Sequence, residues 1–218
     1  MNNVLVVAAH PDDEVLGCGA TIARHVYNGD QVRVVFLADG FSSRESDKDR
    51  DDSAEKASKV LGCQQPVFLR FPDNRLDSVS LLEIVQKIEE VIYSYNPSIV
   101  YTHHFGDLNV DHKIAHKAVI TACRPQPSLC VKEVYSFETL SATHWNSPSM
   151  GSAFNPNYFI SVGEFIDKKI EALRCYDKEI RDYPHARSYE AVESLLQLRG
   201  STVGLNKAEA FFVERLIK

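Results

Sequence analysis

The sequence predicts an α/β fold, Rossmann-like, with a mainly parallel sheet flanked by helices and a helical carboxyl-terminal part. Three observations predict it. Short apolar runs alternate with longer amphipathic stretches from residue 4 to about residue 102, the rhythm of βαβ units. The runs at residues 4–9 and 32–38 are apolar almost throughout rather than alternating, as strands covered on both faces require. The residues with chemistry to offer follow these runs directly, where a parallel sheet opens its ligand crevice.

The elements follow in order along the chain. Residues 4–9 read as the first strand and 14–28 as a helix stopped by Gly29-Asp30. Residues 32–38 are a second buried strand, and the polar, charged stretch 39–50 is a loop over an edge of the sheet. A helix over 51–61 ends at Gly62, and 66–70 is a short strand. Residues 81–95 form a long amphipathic helix, and Asn96-Pro97 leads into a strand at 98–102. A helix runs from Val110 or Asp111 to residue 122, followed by a strand at 131–137. Residues 140–157 are polar, aromatic and poor in helix signals. A short strand is expected at 158–162, then helices over 163–176, 189–199 and 207–217. With no linker or repeat in view, 1–218 is read as a single domain.

Composition excludes several classes. The chain has 218 residues and a net charge of −6, and it lacks the basic patch or stripe expected of a nucleic-acid binder. No apolar stretch approaches the ~20 residues that span a bilayer, and no basic n-region precedes the first apolar run. Cys18, Cys63, Cys123, Cys130 and Cys175 are scattered with no CxxC pair. They read as reduced thiols of a cytoplasmic protein and argue against a cysteine zinc site.

The densest polar cluster is His10-Pro11-Asp12-Asp13-Glu14. Pro11 holds His10 extended at the tip of the first strand, and a helix starting just afterwards directs Asp12 or Asp13 into the same space. A histidine nitrogen and a carboxylate oxygen suit Zn²⁺. A third ligand leaves one position open for water, and the other carboxylate is free to act as general base. The competing reading has both aspartates cap the helix, and Glu14 is assigned to its first turn. The third ligand is expected from the segment 101–112, on the same sheet edge. His112 is preferred because Asp111-His112 opens a helix; His103 and His104 are alternatives, and His116 pairs with His112 at i, i+4. Gly17-Cys18-Gly19 hints at dinucleotide binding, but Ile22 stands where the third glycine belongs and the acidic residues before it would repel a pyrophosphate. These glycines are read as close-packing positions. Further on, His185 and Arg187 are candidates to reach a substrate phosphate or carboxylate.

The chain resembles the LmbE/PIG-L family of zinc-dependent N-acetyl-sugar deacetylases over nearly its whole length. The resemblance rests on Ala9-His10-Pro11-Asp12-Asp13-Glu14, Asp39-Gly40, Arg50, Pro72-Asp73, the run Asp107-Leu108-Asn109-Val110-Asp111-His112, and Arg199-Gly200 with Ala208-Glu209-Ala210-Phe211. It implies zinc, or another divalent metal such as Fe²⁺, held by His10, Asp13 and His112, with Asp12 as general base. It implies that Arg50 and Asp73 hold the sugar. Several relatives carry a histidine where this chain has Asn109, with the intervening aspartate, here Asp111, orienting it. Asn109 can donate to an oxyanion but cannot deliver a proton, so Asp12 is expected to return the proton to the amine, with His103 or His104 as substitutes. The expected partner is a small N-acetylamino sugar, free, nucleotide-linked or in a glycoside, and the resemblance is consistent with a homo-oligomer. Two other functions compete: a Rossmann-type nucleotide-binding protein without hydrolytic activity, and a metal-dependent hydrolase of another bond.

Overall fold

The computed structural model describes residues 1–39, 50–147, 149 and 153–218. The strands are β1 (Asn3–Ala8), β2 (Gln31–Ala38), β3 (Val67–Phe71), β4 (Ile99–His103), β5 (Glu133–Phe137), β6 (Tyr158–Ser161) and β7 (Ala208–Leu216). They form one sheet in the order β3-β2-β1-β4-β5-β7-β6. Strands β1 to β5 pair in parallel, and β7 runs antiparallel between β5 and β6. This is the α/β architecture the alternating pattern predicts. The expected loop over 39–50 and the expected irregular stretch over 140–157 lie largely or partly outside the described residues, Gly40 among them.

The continuous apolar character of β1 has a direct cause. Val4, Val6 and Ala8 pack into the cluster beneath helices α1 (Asp13–Tyr27), α2 (Arg50–Leu61), α5 (Ile166–Arg174) and α6 (Tyr189–Ser201). Leu5, Val7 and Ala9 pack into the opposite cluster, beneath α3 (Leu81–Tyr95) and α4 (Val110–Ala122). A strand between two helical layers has no solvent face, so side chains of both parities must be apolar. The strand order reverses between β1 and β4, the place where sheets of this kind take ligands at the strands' carboxyl ends.

Helix α1 is broken near its middle. Cys18 leaves helical geometry at φ −145°, ψ 23°, and an ion pair repairs the damage. Glu209 of β7 accepts from the backbone N–H groups of Ala20 at 3.1 Å and Thr21 at 2.6 Å. Lys169 of α5 donates to the Leu16 carbonyl at 2.9 Å and to Glu209 at 2.6 Å. The donors and acceptor freed by the break are thus satisfied by two buried side chains. Next to the break, a Cβ on Gly17 would lie 2.2 Å from the Phe137 ring of β5. The expectation that these glycines serve close packing therefore holds at Gly17.

One expected element is corrected. Residues 207–217, rich in the helix formers Ala, Glu, Leu and Lys, form the strand β7 and not a helix. Hydrogen-bonding partners on both sides, β5 and β6, outweigh intrinsic propensity. The helix expected over 163–176 is shorter, a 3₁₀ turn at Gly163–Phe165 followed by α5.

Candidate active site

The loop after β1 is folded so that its carboxylates face inward. Pro11 and a positive φ of 121° at Asp12 turn the chain sharply into α1. An L-residue in that region carries strain of order 1–3 kcal/mol. The competing reading, in which the aspartates cap the helix, does not describe this loop. Asp12 makes no side-chain cap hydrogen bond, and Asp13 Oδ2 accepts from the backbone N–H of His10 at 3.0 Å.

Three side chains from the two sides of the crevice converge. Asp13 Oδ2 lies 3.2 Å from His10 Nδ1 and 3.2 Å from His112 Nε2, and the three offer ligand atoms to one point. The far nitrogen of each imidazole faces carboxylates. His10 Nε2 is 3.0 Å from Asp111 Oδ2 and 3.1 Å from Asp73 Oδ1, and His112 Nδ1 is 3.1 Å from Asp107 Oδ2. Carboxylates behind histidines in this way fix tautomer and ring direction in metal sites. Asp13 Oδ1 and His112 Nε2 are buried without a hydrogen-bond partner, which suits a set of donors arranged for a cation.

Two further groupings share these residues, His103 with Asp107 and His112, and His10 with Asp73 and Asp111. Their own atoms are engaged, whereas Asp13 keeps a second, unpartnered oxygen and His112 Nε2 is unpartnered. His103 Nε2 accepts the Ala9 N–H at 2.9 Å, so that lone pair is spent. Asp111 accepts from the backbone N–H groups of Asn74 at 2.7 Å and Leu76 at 3.0 Å. His10, Asp13 and His112 are therefore the set best fitted to a metal.

The electrostatics show a buried carboxylate cluster that demands positive charge. Burial works against the Asp13 carboxylate, but His112, His103 and His10 hold it well below the usual range. Burial also opposes the charged form of His112, yet Asp13 and Asp107 raise it to about 9. His10 is likewise raised, against burial, by Asp111, Asp13 and Asp73. His103 goes the other way, lowered to about 3 by burial and by its neighbour His112, so it is a neutral acceptor for Ala9.

Asp12 lies beside this group. Burial pushes its carboxyl up to about 6, against the pull of Arg187 and with the charge of Asp13 adding to the rise. Arg187 donates to Asp12 Oδ2 at 2.8 Å and through Nε to Ser141 Oγ at 2.9 Å. Arg50, the first residue of α2, pairs with Glu179, and Glu179 lies 3.9 Å from Arg187. His185 accepts the Arg187 N–H at 3.0 Å and meets Trp145 edge-to-face at 5.4 Å. Asn109 caps α4, accepting the Asp111 N–H through Oδ1 at 2.8 Å, so its amide nitrogen faces Asn74 Oδ1 at 3.4 Å.

The remaining sequence candidates have other duties. His116 Nδ1 donates to the His103 carbonyl at 2.9 Å. His104 is buried against the rings of Phe105 and Phe154. Asp111, expected to orient the residue at position 109, meets Asn109 through its backbone N–H and turns its carboxylate to His10. Sequence reasoning gave no role to Asp107, to Glu179, or to the buried contacts of Glu14. Asp107 carried one usable signal, a carboxylate five residues before His112, just ahead of the α4 cap Asn109.

Comparison with known proteins bears on the family and the fold. The family model described as GlcNAc-PI de-N-acetylase, PIG-L, matches residues 5–123. The uncharacterized deacetylase YaiS of Escherichia coli K12 is 33% identical over 177 residues, 78% of this chain and 88% of that protein. N,N'-diacetylchitobiose deacetylase from Pyrococcus horikoshii superposes with a TM-score of 0.80 at 18% identity, covering 98% of this chain and 84% of that one. GalB, the 4-carboxy-2-hydroxymuconate hydratase of Pseudomonas putida KT2440, superposes with a TM-score of 0.74 at 23% identity, covering 100% and 99%. At these identities the two superpositions report the fold alone, and the fold houses more than one reaction.

Proposed function

Because the chain belongs to the PIG-L family of de-N-acetylases, we propose that it is a zinc-dependent hydrolase that removes the acetyl group from an N-acetylamino sugar. The observation that carries the reading is the convergence of His10 Nδ1, Asp13 Oδ2 and His112 Nε2, with carboxylates behind both imidazoles. Those three residues would hold the ion. A bound divalent zinc supplies Lewis acidity, polarising the acetyl carbonyl and acidifying the attacking water.

The chain's own groups do the rest. The Asp12 carboxylate takes a proton from the attacking water and passes it to the amine nitrogen as the C–N bond breaks. Arg187, on Asp12 Oδ2, holds that carboxylate in place and leaves Oδ1 for the proton. Asn109 Nδ2 supplies a donor at the mouth of the crevice. Asp73 and Asp111 keep the His10 ring turned, and Asp107 does the same for His112.

The substrate's sugar is assigned to Asp73 and Arg50, with His185, which meets Trp145 edge-to-face, as a further contact. Among the described residues, Arg50 is paired with Glu179 and Arg187 with Asp12, so a free, glycosidic and nucleotide-linked sugar are to be compared directly. Free thiols at all five cysteines fit a reducing, cytoplasmic setting. No helix among the described residues is long and apolar enough to cross a membrane.

The test is acetate release from N-acetylglucosamine, its glycosides and a nucleotide-linked form, using protein of measured metal content. Metal-stripped protein should be inactive and recover with Zn²⁺. Asp12→Asn should keep its metal and lose about 100-fold or more in rate. Full activity in metal-free protein or in Asp12→Asn would sink the mechanism. Turnover of an unsaturated acid without acetate release would instead favour hydration, the reaction GalB is named for.

A further inference from the structure

Glu14 has no part in the chemistry above, yet it is among the most buried acids of the chain, 1% exposed. A carboxylate in the first turn of a helix ordinarily faces water. Here Glu14 Oε2 accepts the backbone N–H of Asp12 at 3.0 Å, and Glu14 Oε1 accepts the hydroxyl of Tyr176 at 2.7 Å. Tyr176 is 3% exposed and follows α5. Asp12 is the residue with the strained backbone, φ 121°. Its carbonyl is held by the N–H groups of Val15 at 3.1 Å and Leu16 at 3.0 Å. The strained turn is thus gripped from both sides, by α1 on the carbonyl and by Glu14 on the N–H.

We propose that Glu14, locked by Tyr176, is a positioning residue that holds the Asp12 backbone in its strained conformation and so keeps the Asp12 carboxylate aimed into the site. The proposal rests on reading Asp12 as the general base. A conformation of this kind persists only where its surroundings over-determine it. Arg187 also grips Asp12, but at the end of a flexible side chain that fixes the carboxylate and not the turn. Releasing the N–H lets the turn relax and moves the carboxylate by a fraction of an ångström to an ångström, enough to cost catalysis heavily.

The experiment compares Glu14→Gln, Glu14→Ala and Tyr176→Phe in the zinc-loaded full chain. Readouts are kcat, KM, zinc stoichiometry and hydrogen exchange of the Asp12 amide. Glu14→Gln keeps an acceptor for that amide and should stay within about 3-fold of the parent. Glu14→Ala should lose about 100-fold in kcat with KM and zinc content unchanged, and its Asp12 amide should exchange faster. Tyr176→Phe deletes one oxygen and should fall between them; it decides the matter if Glu14→Ala does not fold. The proposal is overturned if the Ala and Phe variants keep parental kcat, or if activity is lost only in step with zinc. It is also overturned if Glu14→Gln is as impaired as Glu14→Ala. Asp12→Asn measured alongside separates the two ideas. Undiminished kcat there removes the base assignment, whereas Asp12 amide exchange in Glu14→Ala reports on Glu14's hold regardless.

Discussion

Asp107 shows how much of the site is built behind its front line. Its Oδ1 accepts the Asn109 N–H at 2.8 Å, its Oδ2 takes the Thr143 hydroxyl at 2.8 Å, and the same Oδ2 faces His112 Nδ1 at 3.1 Å. Replacing a carboxylate behind a metal-binding histidine weakens binding about 10- to 100-fold. Under the proposed assignment of His112 to the metal, Asp107→Ala should show that loss in a chelator-competition titration while still folding. Glu138 offers a test away from the His10, Asp13 and His112 cluster. It is buried, and although burial opposes its charge, His144 and Arg199 hold its carboxyl below the usual range. The contacts are 2.8 Å to His144 and 2.7 and 2.5 Å to Arg199. A depressed folded value means that the ionised form stabilises the protein above the unfolded carboxyl pKa of about 4.3. The contribution fades as pH falls through the lower folded value. Glu138→Gln should cost about 1.5–3 kcal/mol near pH 7, and urea titrations of the two proteins should draw together toward pH 3. A gap that stayed constant with pH would refute the assignment. At this scale the sequence was legible in that His10, Asp12, Asp13 and His112, singled out by residue type, do come together in the fold. It was not legible at Glu14 or Asp107, because a carboxylate beside a helix start has the same pattern whether it faces water or the interior.

The elements explain where reading by pattern works. β1 and β2 were readable because two helical layers force both strand parities to be apolar. β7 was not, because its composition favours a helix and only its neighbours make it a strand. In the fold Glu209, Phe211 and Val213 face α1 and its cluster, but with a glutamate among them the run shows no apolar alternation to read in advance. The break in α1 was invisible for a similar reason, since Gly17-Cys18-Gly19 has several structural uses. Its tight side can be measured. Gly17→Ala would drive a methyl into the Phe137 ring and should destabilise the protein by about 1–3 kcal/mol, read as a lower urea midpoint. An unchanged midpoint would mean that helix and strand can part without cost.

For the whole molecule, the parts of the site come from across the chain. The family model covers residues 5–123, yet Asp12 is held by Arg187 and Glu14 by Tyr176. We propose on this ground that residues 1–218 unfold as one unit. Thermal unfolding followed by the single tryptophan, Trp145, and by far-ultraviolet circular dichroism should give coincident transitions. Separated midpoints would divide the chain instead. The parallel character of β1 to β4 followed from the sequence rhythm, whereas the antiparallel pairing of β7 depends on contacts between residues far apart in the chain.

The Lys169–Glu209 bridge across the break in α1 also bears on motion. The Ala20 and Thr21 amides are bonded to the side chain of Glu209 on β7, a residue far away along the chain. Fraying of α1 from either end leaves these bonds in place; they are lost when α1 and β7 part. In deuterated solvent these two protons should therefore be among the last to exchange, as slow as those in the middle of the sheet. They would act as a clock for the parting of the first helix from the last strand, set by the most global opening the protein makes.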